Sequence, residues 1–240
     1  MKELGIIGFG SFGQFATPFL KPHFNITVYD TFLDGDAVKK HGVKAGTLKE
    51  AVSKEVVLLG VPVQFLEELL LEIKTIINPK ALVLDVSSVK VKPLRLMVEH
   101  LPETVEIVGT HPLFGPQSGK NGIEGLNIVI CPVRTSSTAS VMTLLSRTLK
   151  LNVLERTPEI HDQQMAYVQA LTHFIGRAVN EMDIPDVEQK TPAYQYLLNI
   201  KRNLGQDSLD LFFTIEKENP FAKGVREQFL KELDKLNKML

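Results

Sequence analysis

Gly8-Phe9-Gly10-Ser11-Phe12-Gly13 sets three glycines at a spacing that suits a pyrophosphate. A strand pattern, Leu4–Gly8, runs directly into it, and a helix pattern, Phe12–Leu20, leads out. In that context Gly8 permits a tight turn, Gly10 lets backbone approach a phosphate without a Cβ, and Gly13 lets helix and strand pack closely. The first N–H groups of the helix, from Ser11 and Phe12 onward, and its positive dipole end then face the phosphates. The next strand ends in Asp30, 22 positions after Gly8. An acid there accepts hydrogen bonds from both ribose hydroxyls and repels a 2′-phosphate, which points to NAD rather than NADP. The plainer reading is that Asp30 begins a turn.

Further polar positions fall at strand ends. Gly60-Val61-Pro62 closes one strand and Asp85-Val86-Ser87-Ser88-Val89-Lys90 closes the next. Ligands of open α/β sheets lie at the carboxyl ends of strands, so Val61, Pro62 and Ser87 are expected to line a cofactor cleft. One of the two serines can cap the following helix. Gly109-Thr110-His111-Pro112 ends another strand, and a His held in a Gly/Pro-rigid loop is suited to acid–base work near neutral pH. A lone loop His can equally be a surface residue. The loop continues through Gln117-Ser118-Gly119-Lys120, polar and long enough to cover a substrate. His161 and His173, twelve residues apart, should point about 120° apart on a regular helix. His173 is the better cleft candidate, or a satisfied core histidine. With one cysteine, Cys131, and no close acidic partner for these histidines, no metal site is expected.

The elements that must carry these residues alternate. Strand patterns at Leu4–Gly8, Asn25–Asp30, Val56–Val61, Ala81–Val86, Ile107–Gly109, Asn127–Cys131 and Val153–Glu155 are interleaved with helix patterns at Phe12–Leu20, Gln64–Ile76, Lys92–His100 and Ser136–Leu149. Continuously apolar runs such as Val56-Val57-Leu58-Leu59 suit strands buried on both faces of a parallel sheet. This predicts an α/β fold: a doubly wound Rossmann domain over residues 1–157. From 158 to 240 only helices are expected: Glu159–Asp183, Ala193–Lys217 and Ala222–Leu240, with Pro185, Pro192 and Asn219-Pro220 as punctuation. The last carries a stripe of Phe229, Leu233 and Leu236, which predicts dimerisation through this domain unless the stripes pack only on each other and on the first domain.

Composition narrows the function classes. The 240 residues carry 27 Lys+Arg against 28 Asp+Glu, a formal charge of −1, with 44% hydrophobic residues and a mean hydropathy of +0.03. That is globular rather than disordered, and it offers no electrostatic footprint for nucleic acid or an anionic membrane. No stretch approaches the roughly 18 apolar residues of a membrane span. The polar breaks at Ser11, Gln14 and Thr17 argue against a signal peptide, so a cytoplasmic protein is expected.

The glycine loop, Asp-Val-Ser-Ser-Val-Lys at 85–90, Gly-Thr-His-Pro-x-Phe-Gly-Pro at 109–116, and His161-Asp162 with His173 in Thr-His-Phe-Ile-Gly-Arg follow one another in order. In this the chain resembles the prephenate/arogenate dehydrogenases of tyrosine biosynthesis. It is most similar to the plant arogenate enzymes over 109–116 and 191–212. The resemblance implies a Rossmann domain followed by a helical dimerisation domain. It also implies NAD(P)-dependent oxidative decarboxylation of prephenate to 4-hydroxyphenylpyruvate, or of arogenate to tyrosine. By resemblance His111 partners the C4 hydroxyl, Ser88 holds the nicotinamide side or orients His111, and His173 contacts substrate, with Gln117 and Ser118 in the covering loop. Where many microbial members carry a carboxylate-binding arginine, this chain has Asn203, with Arg202 next to it as the substitute. The usual Gly before Ser-Val-Lys is Ser87. The alternatives are another two-domain dehydrogenase, for which no helix-borne acid–base lysine is visible, and a non-enzymatic dinucleotide sensor.

Overall fold

The apolar runs become the middle of an eight-stranded sheet. The computed structural model describes residues 1–204 and 208–240, which divide into two compact units, Met1–Pro158 and Glu159–Leu240. In the first, β1 (Lys2–Ile7) leads to α1 (Ser11–Leu20), β2 (Phe24–Tyr29), α2 (Gly35–His41), β3 (Lys44–Ala45), α3 (Leu48–Val52) and β4 (Val56–Leu59). Then come α4 (Leu66–Ile73), β5 (Leu82–Asp85), α5 (Val91–His100), β6 (Glu106–Pro112), β7 (Asn127–Arg134), α6 (Thr138–Thr143) and β8 (Asn152–Glu155). The strand order is β3-β2-β1-β4-β5-β6-β7-β8. The order reverses at β1, whose neighbours are β2 on one side and β4 on the other, so a switch-point crevice lies at their carboxyl ends.

All seven expected strands form. The two-residue β3 and the short helices α2 and α3 carried too little periodicity to be read. The doubly wound sheet is not parallel throughout: β7 runs antiparallel to β6, and β8 is parallel to β7. A parallel neighbour needs a crossover, normally a helix, and residues 113–126 supply only turns, with Gly122 and Gly125 at positive φ. One sheet face carries α4 and α5 over a core of Val57, Leu70, Ile73, Val83, Met97 and Ile107. On the other, over Leu58, Leu82 and Leu84, the rings of Phe12, Phe15, Phe19 and Phe114 border an apolar cavity of about 370 Å³.

In the second unit α7 (Pro158–Met165) passes through a π-helical turn, Ala166–Leu171, into α8 (Thr172–Glu181). A π turn adds one residue to the helical phase. Twelve residues therefore advance as about eleven, which brings His161 and His173 to within about 20° of one another rather than the expected 120°. They share a helix side at different heights. The expected helix Ala193–Lys217 is instead α9 (Pro192–Leu204), α10 (Leu209–Phe213) and a π turn at Thr214–Glu218; residues 205–207, which that expectation spanned, lie outside the described residues. α11 (Ala222–Asn237) closes the unit. α8 and α9 approach closely at Gly176, where a Cβ would lie 2.6 Å from a Leu204 methyl.

Candidate active site

The glycine loop has the geometry its spacing predicts. Gly8 stands at φ +94°, and a Cβ there would sit 2.6 Å from the Gly60 backbone, so the ends of β1 and β4 can touch only through glycine. A Cβ on Gly13 would lie 2.5 Å from the Gly8 carbonyl, which holds α1 against the loop. At Gly10 an added Cβ meets nothing within 4 Å. Gly10 also begins α1 without a side-chain cap, and the first turn holds no acid. Open space, uncapped N–H groups and a positive helix end together fit an anionic phosphate. Ser11 is exposed and Phe12 half-buried beside this opening. The Phe9 ring packs into the core, edge-on to His41 at 5.8 Å, so only its backbone serves the loop.

Asp30 begins a turn, the plainer of its two readings. Its Oδ2 accepts from the Phe9 N–H at 2.7 Å and its Oδ1 from the Phe32 N–H at 2.9 Å, tying the glycine loop to the turn after β2. A carboxylate has about four lone-pair sites, so acceptor capacity remains for ribose hydroxyls. Val61 and Pro62 follow β4 at the same sheet edge, half-buried and exposed respectively.

The turn after β5 folds inward. The Ser87 N–H donates to Asp85 Oδ2 at 3.1 Å, and its hydroxyl lies 2.9 Å from the Val89 carbonyl, so this side chain closes the turn rather than pointing freely into a cleft. Ser88 stays half-buried beside it. Beneath both, Lys90 is wholly buried and pairs with Asp85. It also donates to the Thr110 carbonyl at 2.7 Å, while the Thr110 hydroxyl donates to the Asp85 carbonyl at 2.6 Å. Sequence reasoning passed over Asp85, Lys90 and Thr110 as site residues, although the spacing of acid and lysine within the 85–90 motif was the available signal.

His111 is not in a loop, as expected, but is the penultimate residue of β6, opposite Val129 of β7 and 4% exposed. Strand alternation puts it on the same face as Gly109, where α5 approaches so closely that a Cβ would meet Leu94 at 2.7 Å. His111 and Ser88 therefore belong to adjacent strand ends, β6 and β5, joined by the Lys90 and Thr110 bonds. The following loop turns on itself: the Gly115 N–H donates to Ser118 Oγ at 3.0 Å, and Gln117 and Ser118 are exposed.

His173 and Arg202 belong to the helical unit. His173 is half-buried on α8 and Arg202 exposed on α9, where its charge helps hold the Asp186 carboxyl low behind the main cause, Lys190. His161 proves to have a close acid after all: its Nδ1 lies 2.7 Å from Asp162 Oδ1, both buried, and Asn219 bonds the Asp162 carbonyl at 2.8 Å. Among the described residues no group of three or more His, Cys, Asp or Glu is placed to hold a metal.

A doubly wound sheet with a glycine-cradled switch point and a helical second unit define a two-unit chain of the nucleotide-binding fold class. Residues 26–153 match the family described as prephenate dehydrogenase, nucleotide-binding domain, and residues 178–240 match the one described as TYRAAT1-like, C-terminal domain. The chain belongs to the prephenate/arogenate dehydrogenase family. It is 30% identical over 239 residues to arogenate dehydrogenase 1, chloroplastic, of Arabidopsis thaliana, covering 95% of this chain and 37% of that one. To arogenate dehydrogenase 2, chloroplastic, of the same plant it is 30% identical over 231 residues, covering 92% and 64%. The chain thus spans between about a third and two thirds of these relatives' lengths. Its fold is that of the Aquifex aeolicus prephenate dehydrogenase crystallised with hydroxyphenyl propionate and NAD+, with a TM-score of 0.75, 21% identity, and coverage of 100% of this chain and 90% of that one. No helix among the described residues is long and apolar enough to cross a membrane.

Proposed function

We propose that the protein is an NAD-dependent dehydrogenase that oxidatively decarboxylates prephenate or arogenate in tyrosine biosynthesis. The observation that carries this reading is His111 at the carboxyl end of β6, one strand from Ser88 and on the same sheet edge as the glycine cradle. Residues 1–157 bind the dinucleotide through Gly8, Gly10 and Gly13, the backbone of Phe9, Ser11 and Phe12, Asp30, Val61, Pro62 and Ser87. A dinucleotide held there would supply the hydride acceptor for C4 of the ring. His111 takes the proton of the C4 hydroxyl, and Ser88 keeps the imidazole oriented. The ring ketone so formed is conjugated to the carbon bearing the carboxylate, so that bond's electrons enter the ring as CO₂ leaves and the ring becomes aromatic. Asp30 supports NAD over NADP, since a second carboxylate-facing anion there would be repelled.

Residues 158–240 form the substrate and dimerisation domain. His173 and Arg202 are substrate contacts on the family resemblance, as are Gln117 and Ser118 from the first unit. Leu233 and Leu236, 46% and 56% exposed on α11, support a homodimer. The near-neutral charge supports reading it as a cytoplasmic enzyme without a nucleic-acid or anionic-membrane partner. The test is dinucleotide reduction with prephenate and with arogenate separately, wild type beside His111→Ala. Turnover of one substrate that drops by about 10²–10⁴ in the variant is expected. No turnover of either by protein that binds NAD overturns the reading.

A further inference from the structure

The ion pair beneath the 85–90 turn takes no part in the chemistry above, yet it joins the two strand ends on which that chemistry rests. Asp85↔Gly109 is the last pair between β5 and β6. One residue farther on, where β5 can no longer pair, the Thr110 carbonyl takes the Lys90 ammonium at 2.7 Å instead. The ammonium also contacts the Asp85 carboxylate and, at 3.4 Å, Ser87 Oγ. The Thr110 hydroxyl returns a bond to the Asp85 carbonyl. Each strand end thus both gives and receives, and Lys90 ends the turn that carries Ser88 while gripping the peptide that leads into His111. A fully buried ammonium is costly to remove from water, and apolar groups would fill the same space without that cost. What an apolar pair lacks is direction: three donors fix the separation and angle of two loops to within hydrogen-bond tolerance.

We propose that Lys90, held by Asp85, is a positioning residue that sets His111 against Ser88 through the Thr110 carbonyl. This rests on the reading of His111 as the base. Lys90→Met alone strands a buried carboxylate and can fail to fold, so the second variant is Lys90→Met combined with Asp85→Asn, which removes both charges and keeps an acceptor for the Ser87 N–H. Misplacement of a catalytic group by about 1 Å costs on the order of 10²-fold. In the paired variant kcat is expected to fall by about 10- to 100-fold while the KM for the dinucleotide holds. Adding His111→Ala should cost little more than His111→Ala alone, because the two act through one group. A paired variant with wild-type kcat, or one whose loss multiplies with that of His111→Ala, overturns the proposal.

A second readout does not depend on turnover. The His111 imidazole resonance, assigned by its disappearance in His111→Ala, should move in the paired variant, and an unmoved resonance overturns the proposal even where kcat has fallen. If the wild type turns over neither substrate, the functional reading fails by itself and the resonance alone decides the positioning role.

Discussion

In the first unit Ile6, Val57, Leu70, Val83 and Ile107 lie out of solvent on the two faces of one sheet, whereas the buried apolar cluster of the helical unit is Ala170, Ile215 and Ala222, with Leu211 against it. The same contrast holds for polar groups. The first unit buries Asp85 and Lys90 as a pair at the carboxyl edge of its sheet, while the second buries His161, Asp162, Thr214, Glu216 and Asn219 within its small core. Meanwhile Tyr167, Val168, Tyr196, Leu230, Leu233 and Leu236 remain exposed on its helices. A sheet covered on two faces supplies its own core. Helices whose apolar stripes outnumber their mutual contacts gain stability only when something else covers those stripes.

The sharpest way to break this comparison is to separate the units. Residues 1–158 expressed alone are expected to melt in one cooperative transition, and residues 159–240 alone to show none at micromolar concentration. A cooperative, monomeric melt of the helical fragment would show that its small core suffices. Next, Leu70→Ala should cost about 2–5 kcal/mol in denaturant unfolding, since it empties a fully buried site. Leu233→Ser should change folding by less than about 0.5 kcal/mol yet raise the dissociation constant of the proposed dimer in sedimentation. Equal folding losses would put both residues in cores of the same kind.

The smallest effect separates two glutamates. Burial pushes Glu106 up, but hydrogen bonds from Thr135, Ser137 and Ser136 outweigh it and hold its carboxyl below the ordinary value. Burial pushes Glu216 up, and Arg226 offsets this only in part. A lowered acid adds stability that is lost as pH falls through its folded pKa; a raised one adds stability that is lost as pH rises through its own. Melting curves of Glu106→Gln and Glu216→Gln, each subtracted from wild type, should therefore slope in opposite directions on either side of about pH 4.3. Slopes of the same sign would contradict the contrast.

Much of this was legible along the chain, for reasons that differ by residue. Gly8, Gly10 and Gly13 could be assigned from spacing because the turn, the open cradle and the close helix contact are local, within one strand–loop–helix. Asp30 was placed by distance from Gly8, but its bond to the Phe9 N–H crosses from β2 to β1 and needed the sheet. His111 was picked out by its Gly-Thr-His-Pro setting, yet that setting suggested a loop, since the pairing with β7 that extends β6 depends on residues 16 to 27 positions away. The π turn at Ala166–Leu171 left no mark in the residue pattern, so the relation of His161 to His173 came out wrong by a third of a turn less 20°.

The sequence by itself determined the alternation of strands and helices, the phosphate cradle and the order of the family motifs, because periodicity and glycine spacing act over a few residues. Tertiary structure alone decided that β7 reverses against β6, that Lys90 is buried and reaches the Thr110 carbonyl 20 residues on, and that Leu233 and Leu236 of the α11 stripe stay exposed while Phe229 is half-buried. Those outcomes depend on which distant groups compete for the same donor, edge or apolar face, and that competition is settled only when the chain is packed.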